Sequence, residues 1–162
     1  MRDREELQHF ETLAQRWDRM SGYGTRVGQI RVERRMEFFR RVCRLDLGVR
    51  ALELGCGTGE YTANVTDTGA KIIGIDLSLS MLGLARAKNL PPNVSLCAAS
   101  AYELPFPDEC FDVVFGNGIL HHLEIRPALR ELRRVLRPNG RVAFGEPNML
   151  NPQIMLQKNI PA

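Results

Sequence analysis

The sequence predicts an α/β fold: a doubly wound, mostly parallel sheet of about five strands with helices on both faces and a helical segment in front. Three observations carry this. From Val49 onward, short apolar runs alternate with stretches of helical spacing. One run, FDVVFGN at 111–117, is apolar almost throughout, as a strand buried on both faces must be. A turn with glycines on alternate positions, Gly55, Gly57 and Gly59, follows the first of these runs directly.

Each element has its own reason. Leu7, Phe10, Ala14 and Trp17 recur at helical spacing, as do Val27, Ile30, Phe38, Val42 and Leu45, so residues 1–48 read as helical. MSGYG between the two sets is a turn, broken by Gly22 and Gly24. RALEL (50–54) is the first strand, and a helix begins near Thr58 after the glycine turn. KIIGI (71–75) is the second strand, and Ser78 is placed to cap the helix that follows. VSLCAA (94–99) is the third strand and FDVVFGN the fourth. PALRELRRVL (127–136) is a helix with Pro127 suited to its first turn. RPNG then turns the chain into a fifth strand, RVAFGE (141–146). The chain thus divides into a helical cap (1–48), a core (49–148) and a tail (149–162), with no internal repeat.

Composition bounds the function. Apolar residues make up 44% of the chain and charged ones 25%, the profile of one folded domain. No apolar run reaches the ~18 residues of a membrane span, and MRDREELQHF lacks the apolar stretch of a signal peptide. Cys43, Cys56, Cys97 and Cys110 form no C-x-x-C pair, which points to free thiols in a reducing cytoplasm and to no metal site. Net charge is +3, from 22 basic and 19 acidic residues, too mild to require a nucleic-acid partner. Arg130, Arg133, Arg134 and Arg137 read as a solvated helix face opposite Leu129, Leu132 and Leu136.

The glycine turn lies where such sheets bind ligands, beyond the carboxyl end of a strand. Without Cβ atoms the backbone turns tightly and approaches a ligand closely. The helix that follows aims its free N–H groups at the same spot, which suits an anionic group. A dinucleotide fingerprint would place its third glycine at position 60, where Glu60 stands instead. Asp76 closes the second strand, in the place of a carboxylate that accepts both ribose hydroxyls. These residues predict a nucleoside ligand bearing a small anionic group.

LELGCGTGEYT, GIDLS, LPFPDECFDVVF, LHHL and RVLRPNGRVAF occur in the order and spacing of class I S-adenosylmethionine-dependent methyltransferases. From about Val49 to Asn148 the chain resembles their small-molecule, Rossmann-like branch. The resemblance implies S-adenosyl-L-methionine as cofactor, with Glu53, Gly55, Gly57 and Gly59 around its methionine end, Asp76 on its ribose and Leu77 by its adenine. Cys56, Ser100, Ala101 and Asn117 join the cofactor-lining set on the same ground. At Ser100 relatives usually carry an aspartate that meets the adenine amino group; a serine hydroxyl lacks that charge, so weaker cofactor binding is expected. Glu103 is the nearby substitute acceptor, set against an ordinary role as a solvated turn residue.

Methyl transfer is an in-line displacement in which the protein mostly positions the reactants. A general base is needed only where the acceptor must lose a proton. His121 and His122 follow the fourth strand at the glycine edge and are the catalytic candidates, with Glu146 at the end of the fifth strand. Trp17 is assigned to core packing before closure over the cofactor, and GYG around Tyr23 to a flexible lid. GNGI after the fourth strand departs from the motif of adenine-amino methyltransferases, and no cysteine pair suits pyrimidine carbon methylation. The acceptor expected is a small molecule. An RNA-directed enzyme using the arginine face and a non-catalytic cofactor- or partner-binding remnant are the alternatives. Sixteen residues follow Glu146, whereas the resemblance implies a further helix and a two-strand hairpin, so the chain reads as C-terminally shortened. The fifth strand would then be an open edge, covered by the tail or by a second copy in a homodimer.

Overall fold

The computed structural model describes residues 2–148. Two helices, α1 (Arg2–Ser21) and α2 (Arg26–Cys43), precede the sheet. The sheet consists of β1 (Arg50–Leu54), β2 (Lys71–Asp76), β3 (Val94–Ala98), β4 (Phe111–Asn117) and β5 (Leu136–Gly145). Between them lie α3 (Glu60–Ala63), α4 (Leu79–Arg86) and α5 (Ile125–Val135). All neighbouring strands pair in parallel, in the order β3-β2-β1-β4-β5. The α/β, doubly wound expectation holds. Strand order reverses between β1 and β4, which opens a crevice beyond their carboxyl ends.

Alternation along β1 distributes the core between the two faces of the sheet. Ala51 faces Val32, Met36 and Phe39 of α2, together with Val113 and Phe115 of β4. Leu52 and Leu54 face the opposite way, toward Val114, Leu104 and the α5 residues Leu132 and Val135. Ser78 caps α4 as expected, its hydroxyl accepting the Met81 N–H at 3.1 Å.

Four details differ from the sequence reading. In α2 the buried residues are Gly28, Val32, Met36, Phe39 and Cys43, whereas Val27, Ile30, Phe38 and Val42 are exposed. Gly28 explains which stripe turns inward: a Cβ there would lie 1.9 Å from the Gly22 carbonyl oxygen, so only glycine lets α2 press against the turn before it. The helix after the glycine turn starts at Glu60, not Thr58, and makes a single turn. RPNG does not precede the fifth strand but bulges within it. Leu136 pairs with Phe111 and Arg141 with Val113, leaving 137–140 looped out with Asn139 at φ 64°.

The arginine face is the fourth correction. Arg134 donates to Glu131 and Asp108 and to the carbonyls of Leu104 and Phe106, at 2.7–2.9 Å, stapling that loop to α5. Arg137 belongs to β5 and bonds Asp112 at 2.5 Å. Leu129 is exposed, and Ala128 takes the core position instead. The tail and its expected cover over β5 lie outside the described residues.

Phe39 is 1% exposed, and its ring centroid lies 5.6 Å from that of Phe115, itself 1% exposed. Phe39→Ala should destabilise the chain by about 3–5 kcal/mol, while Phe38→Ala at the neighbouring exposed position should cost less than about 1 kcal/mol. Thermal unfolding followed by circular dichroism measures both.

Candidate active site

The site is built at the carboxyl ends of β1, β2 and β4. Gly57 has φ 53°, and a Cβ there would meet nothing within 4 Å, so the turn leaves an open cradle above it. Gly59 serves a different purpose. A Cβ on it would lie 2.9 Å from Ala85 Cβ, so it lets α4 pack closely and does not line the cavity. Gly55 and Cys56 do line it.

Asp76 joins the strand ends. Its Oδ2 accepts the Gly57 N–H at 2.8 Å and its Oδ1 the Ser78 N–H at 2.9 Å. Each oxygen keeps a lone pair for a further donor. Burial raises the carboxyl above its ordinary pKa, against the opposing pull of these backbone N–H groups. Two donors on adjacent carbons, such as a ribose diol, match this arrangement.

The cavity is open at one side and, counting its mouth, encloses about 1030 Å³ of empty space. Leu77, Ser100, Ala101 and Asn117 also line it. The Ser100 hydroxyl accepts the Tyr102 N–H at 3.2 Å, and Glu103 is exposed and outside the lining. Arg35 of α2 donates to Asn117 Oδ1 at 3.3 Å and to the Tyr61 hydroxyl at 3.2 Å, fixing that wall.

Glu53 lies outside the lining, beneath the glycine turn. It is 2% exposed and accepts the Thr62 hydroxyl at 2.5 Å. Burial pushes its pKa up to about 8, opposed by the Thr62 hydrogen bond and reinforced by Asp76. At neutral pH this carboxyl keeps its proton.

The two histidines take separate positions. Glu146 Oε1 accepts the Ile119 and Leu120 N–H groups at 3.1 and 2.9 Å, and its Oε2 meets His121 Nδ1 at 2.7 Å. His121 is therefore turned toward Glu146 and is absent from the lining. His122 lines the cavity, with its ring 4.0 Å from that of His121 and 5.2 Å from that of Phe10.

The cavity roof comes from α1. Leu7, Phe10 and Trp17 line it, with Tyr23 from the following turn. The assignment of Trp17 to core packing is corrected: it packs edge-on against Phe10, ring centroids 5.6 Å apart, at the cavity wall. Glu11 ties α1 across the start of α4, accepting the Ser78 hydroxyl at 2.8 Å, the Ser80 N–H at 3.2 Å and the Ser80 hydroxyl. These bonds hold its carboxyl below the usual carboxylate range. Leu7, Phe10, Tyr61 and Ile119 were missed as site residues, because helical spacing reveals a stripe without revealing what it covers.

Residues 52–144 match the methyltransferase domain family model. The chain belongs to this family. A demethylmenaquinone methyltransferase from Lactobacillus johnsonii is 33% identical over 159 residues, covering 91% of this chain and 63% of that protein. The chain spans between 56% and 63% of the length of the two such relatives, from Lactobacillus johnsonii and Staphylococcus aureus. A Haemonchus contortus phosphoethanolamine N-methyltransferase, solved with S-adenosylhomocysteine, superposes with TM-score 0.61 at 27% identity over 66% of this chain and 26% of its own. A Methanococcus maripaludis protein at 19% identity shares the fold, with TM-score 0.74 over 92% of this chain and 72% of its own. The family's cofactor is S-adenosylmethionine. The cradle above Gly57 and the two spare lone pairs of Asp76 fit it.

Glu53 has a consequence for stability. Its pKa is raised on folding from 4.5 to about 8, so the folded chain holds a proton that the unfolded chain has lost between those values. Its contribution is fully present below pH 4.5 and fades as pH rises through about 8. Urea titrations of the ligand-free chain should show stability falling across this window, at up to about 1.4 kcal/mol per pH unit from this group. Glu53→Gln should flatten that slope; an unchanged slope would mean that Glu53 ionises normally.

Proposed function

We propose that this chain transfers a methyl group from S-adenosylmethionine to a lipophilic, planar small-molecule acceptor of the quinol type. The observation that carries the reading is the Asp76 carboxylate, bonded to the glycine turn and facing an apolar cavity. The acceptor class rests on two supports. Relatives of 33% and 34% identity are named demethylmenaquinone methyltransferases. The lining includes the aromatic and aliphatic side chains of Phe10, Trp17, Ile119 and Leu123.

Bound in this cavity, the cofactor supplies an electrophilic methyl group on a sulfonium. Asp76 accepts the ribose hydroxyls, Leu77 packs beside the adenine, and Gly55, Cys56 and Gly57 cradle the methionine end. Ser100, Ala101 and Asn117 complete the wall. α1 covers the cavity and excludes water, which sharpens the alignment that displacement at carbon requires. His122 faces the acceptor space and takes the proton that a hydroxyl-activated acceptor releases. Glu146 acts through the loop: it fixes His121 and two backbone N–H groups, and so the presentation of His122.

Further parts of the reading concern the assembly. A second copy pairs along the outer edge of β5, where Val142 is exposed. The protein works in the cytoplasm, where Cys43, Cys56, Cys97 and Cys110 stay as free thiols. RNA is disfavoured as acceptor, because Arg134 and Arg137 are engaged in internal ion pairs.

Methyl-labelled S-adenosylmethionine and a demethylated naphthoquinol should yield a labelled methyl product. Asp76→Ala should weaken S-adenosylhomocysteine binding more than about tenfold in calorimetry, through loss of charge-assisted hydrogen bonds. His122→Ala should lower turnover with little change in cofactor affinity. Cofactor binding without transfer to the naphthoquinol would refute the acceptor assignment, and no binding by the folded chain would refute the cofactor site.

A further inference from the structure

The face of α2 turned away from the sheet is unusual for a solvated surface. Val27, Phe38 and Val42, at i, i+11 and i+15, share one side of the helix with Arg31, Arg34 and Arg41. Val27 is 65% exposed, Phe38 47%, Val42 39%, and Ile30 beside them 40%. α2 holds six arginines and only two glutamates. Arg35 and Arg40 are spent inward, on Tyr61 and Asn117 and on Asp67 respectively. Among the described residues Arg34 and Arg41 form no ion pair. Glu33 and Glu37 lie to the side of the stripe, not along its centre.

We propose that the outer face of α2 docks this protein on an anionic lipid bilayer, with Val27, Ile30, Phe38 and Val42 entering the interface and Arg31, Arg34 and Arg41 among the headgroups. Exposed apolar side chains interleaved with cations are the pattern by which a helix lies in a membrane surface. No described helix is long and apolar enough to cross a membrane, so the contact is a surface one. Other occupants fit less well. A second copy meeting this face symmetrically would bring like-charged arginines together. A nucleic acid would satisfy the arginines but strand four apolar side chains against hydrated phosphates. A strand added beyond β5 would extend the sheet sideways and leave this face open, since it points opposite to Val32, Met36 and Phe39.

The docking is independent of the acceptor assignment and is tested without an activity assay. The chain is floated with vesicles of phosphatidylcholine alone and with vesicles holding about 30% phosphatidylglycerol. Binding is expected to the anionic vesicles only and to weaken at high salt. Arg34→Ala with Arg41→Ala should reduce it more than about tenfold, and Ile30→Ser with Phe38→Ser should abolish it. S-adenosylhomocysteine affinity and the thermal midpoint of both double variants report that the fold is intact. The proposal is overturned by no binding to anionic vesicles, by binding that both double variants retain, or by self-association in sedimentation that Phe38→Ser disrupts. Salt-sensitive RNA binding lost in the arginine variant, with no vesicle binding, would reassign the face to nucleic acid.

Discussion

One carboxylate holds the site together. Asp76 ends β2, yet its two oxygens take a backbone N–H from the turn after β1 and another from the start of α4. The Cys56 N–H, donating to the Ile75 carbonyl at 2.9 Å, and the close packing of Gly59 on Ala85 support the same arrangement. With the carboxylate between them, the glycine turn, the end of β2 and the first turn of α4 become one rigid rim. The same anion lies in a region that burial makes costly for charge, and Glu53 beneath it responds by keeping its proton.

The rim alone would leave a shallow, wet cleft. α1 turns it into a cavity, and the tie is again a carboxylate: Glu11 reaches Ser78 and Ser80, on the very segment that Asp76 organises. Across the opening, Phe10 packs on His122 and Trp17 on Phe10. The roof thus touches the rim at α4 and the wall after β4. Glu146 fixes that wall by accepting two of its backbone N–H groups and holding His121, which leaves His122 as the histidine facing the cavity.

Much of this was legible in the sequence, for a definable reason. The strand runs RALEL, KIIGI and FDVVFGN are buried on both faces, so apolarity marks them without ambiguity, and each falls on an observed strand. Asp76, the glycine turn and Ser100 were legible because their backbone positions follow from the strand ends. What was not legible depended on direction. α2 carries apolar residues on two faces; Val32, Met36, Phe39 and Cys43 meet the sheet, and Gly28 on the same side lets the helix press against the turn before it. The roof escaped because Leu7, Phe10 and Trp17 form the same periodic stripe whether they cover a core or a cavity. RPNG looked like a turn before a strand, and the parallel pairing with β4 absorbed it as a bulge. His121 and His122 are equivalent in sequence; the partner that separates them, Glu146, lies 25 positions away from His121.

Trp17 is the single tryptophan of the chain and stands in the cavity wall, so its fluorescence reports occupancy of this cavity and no other place. Titration with S-adenosylhomocysteine, followed by Trp17 emission, tests the central claim that the rim of Asp76 and the roof of α1 together form the cofactor site. A saturable change in emission is expected that tracks the calorimetric affinity and disappears in Asp76→Ala. Calorimetric binding with no response from Trp17 would place the cofactor elsewhere and contradict it.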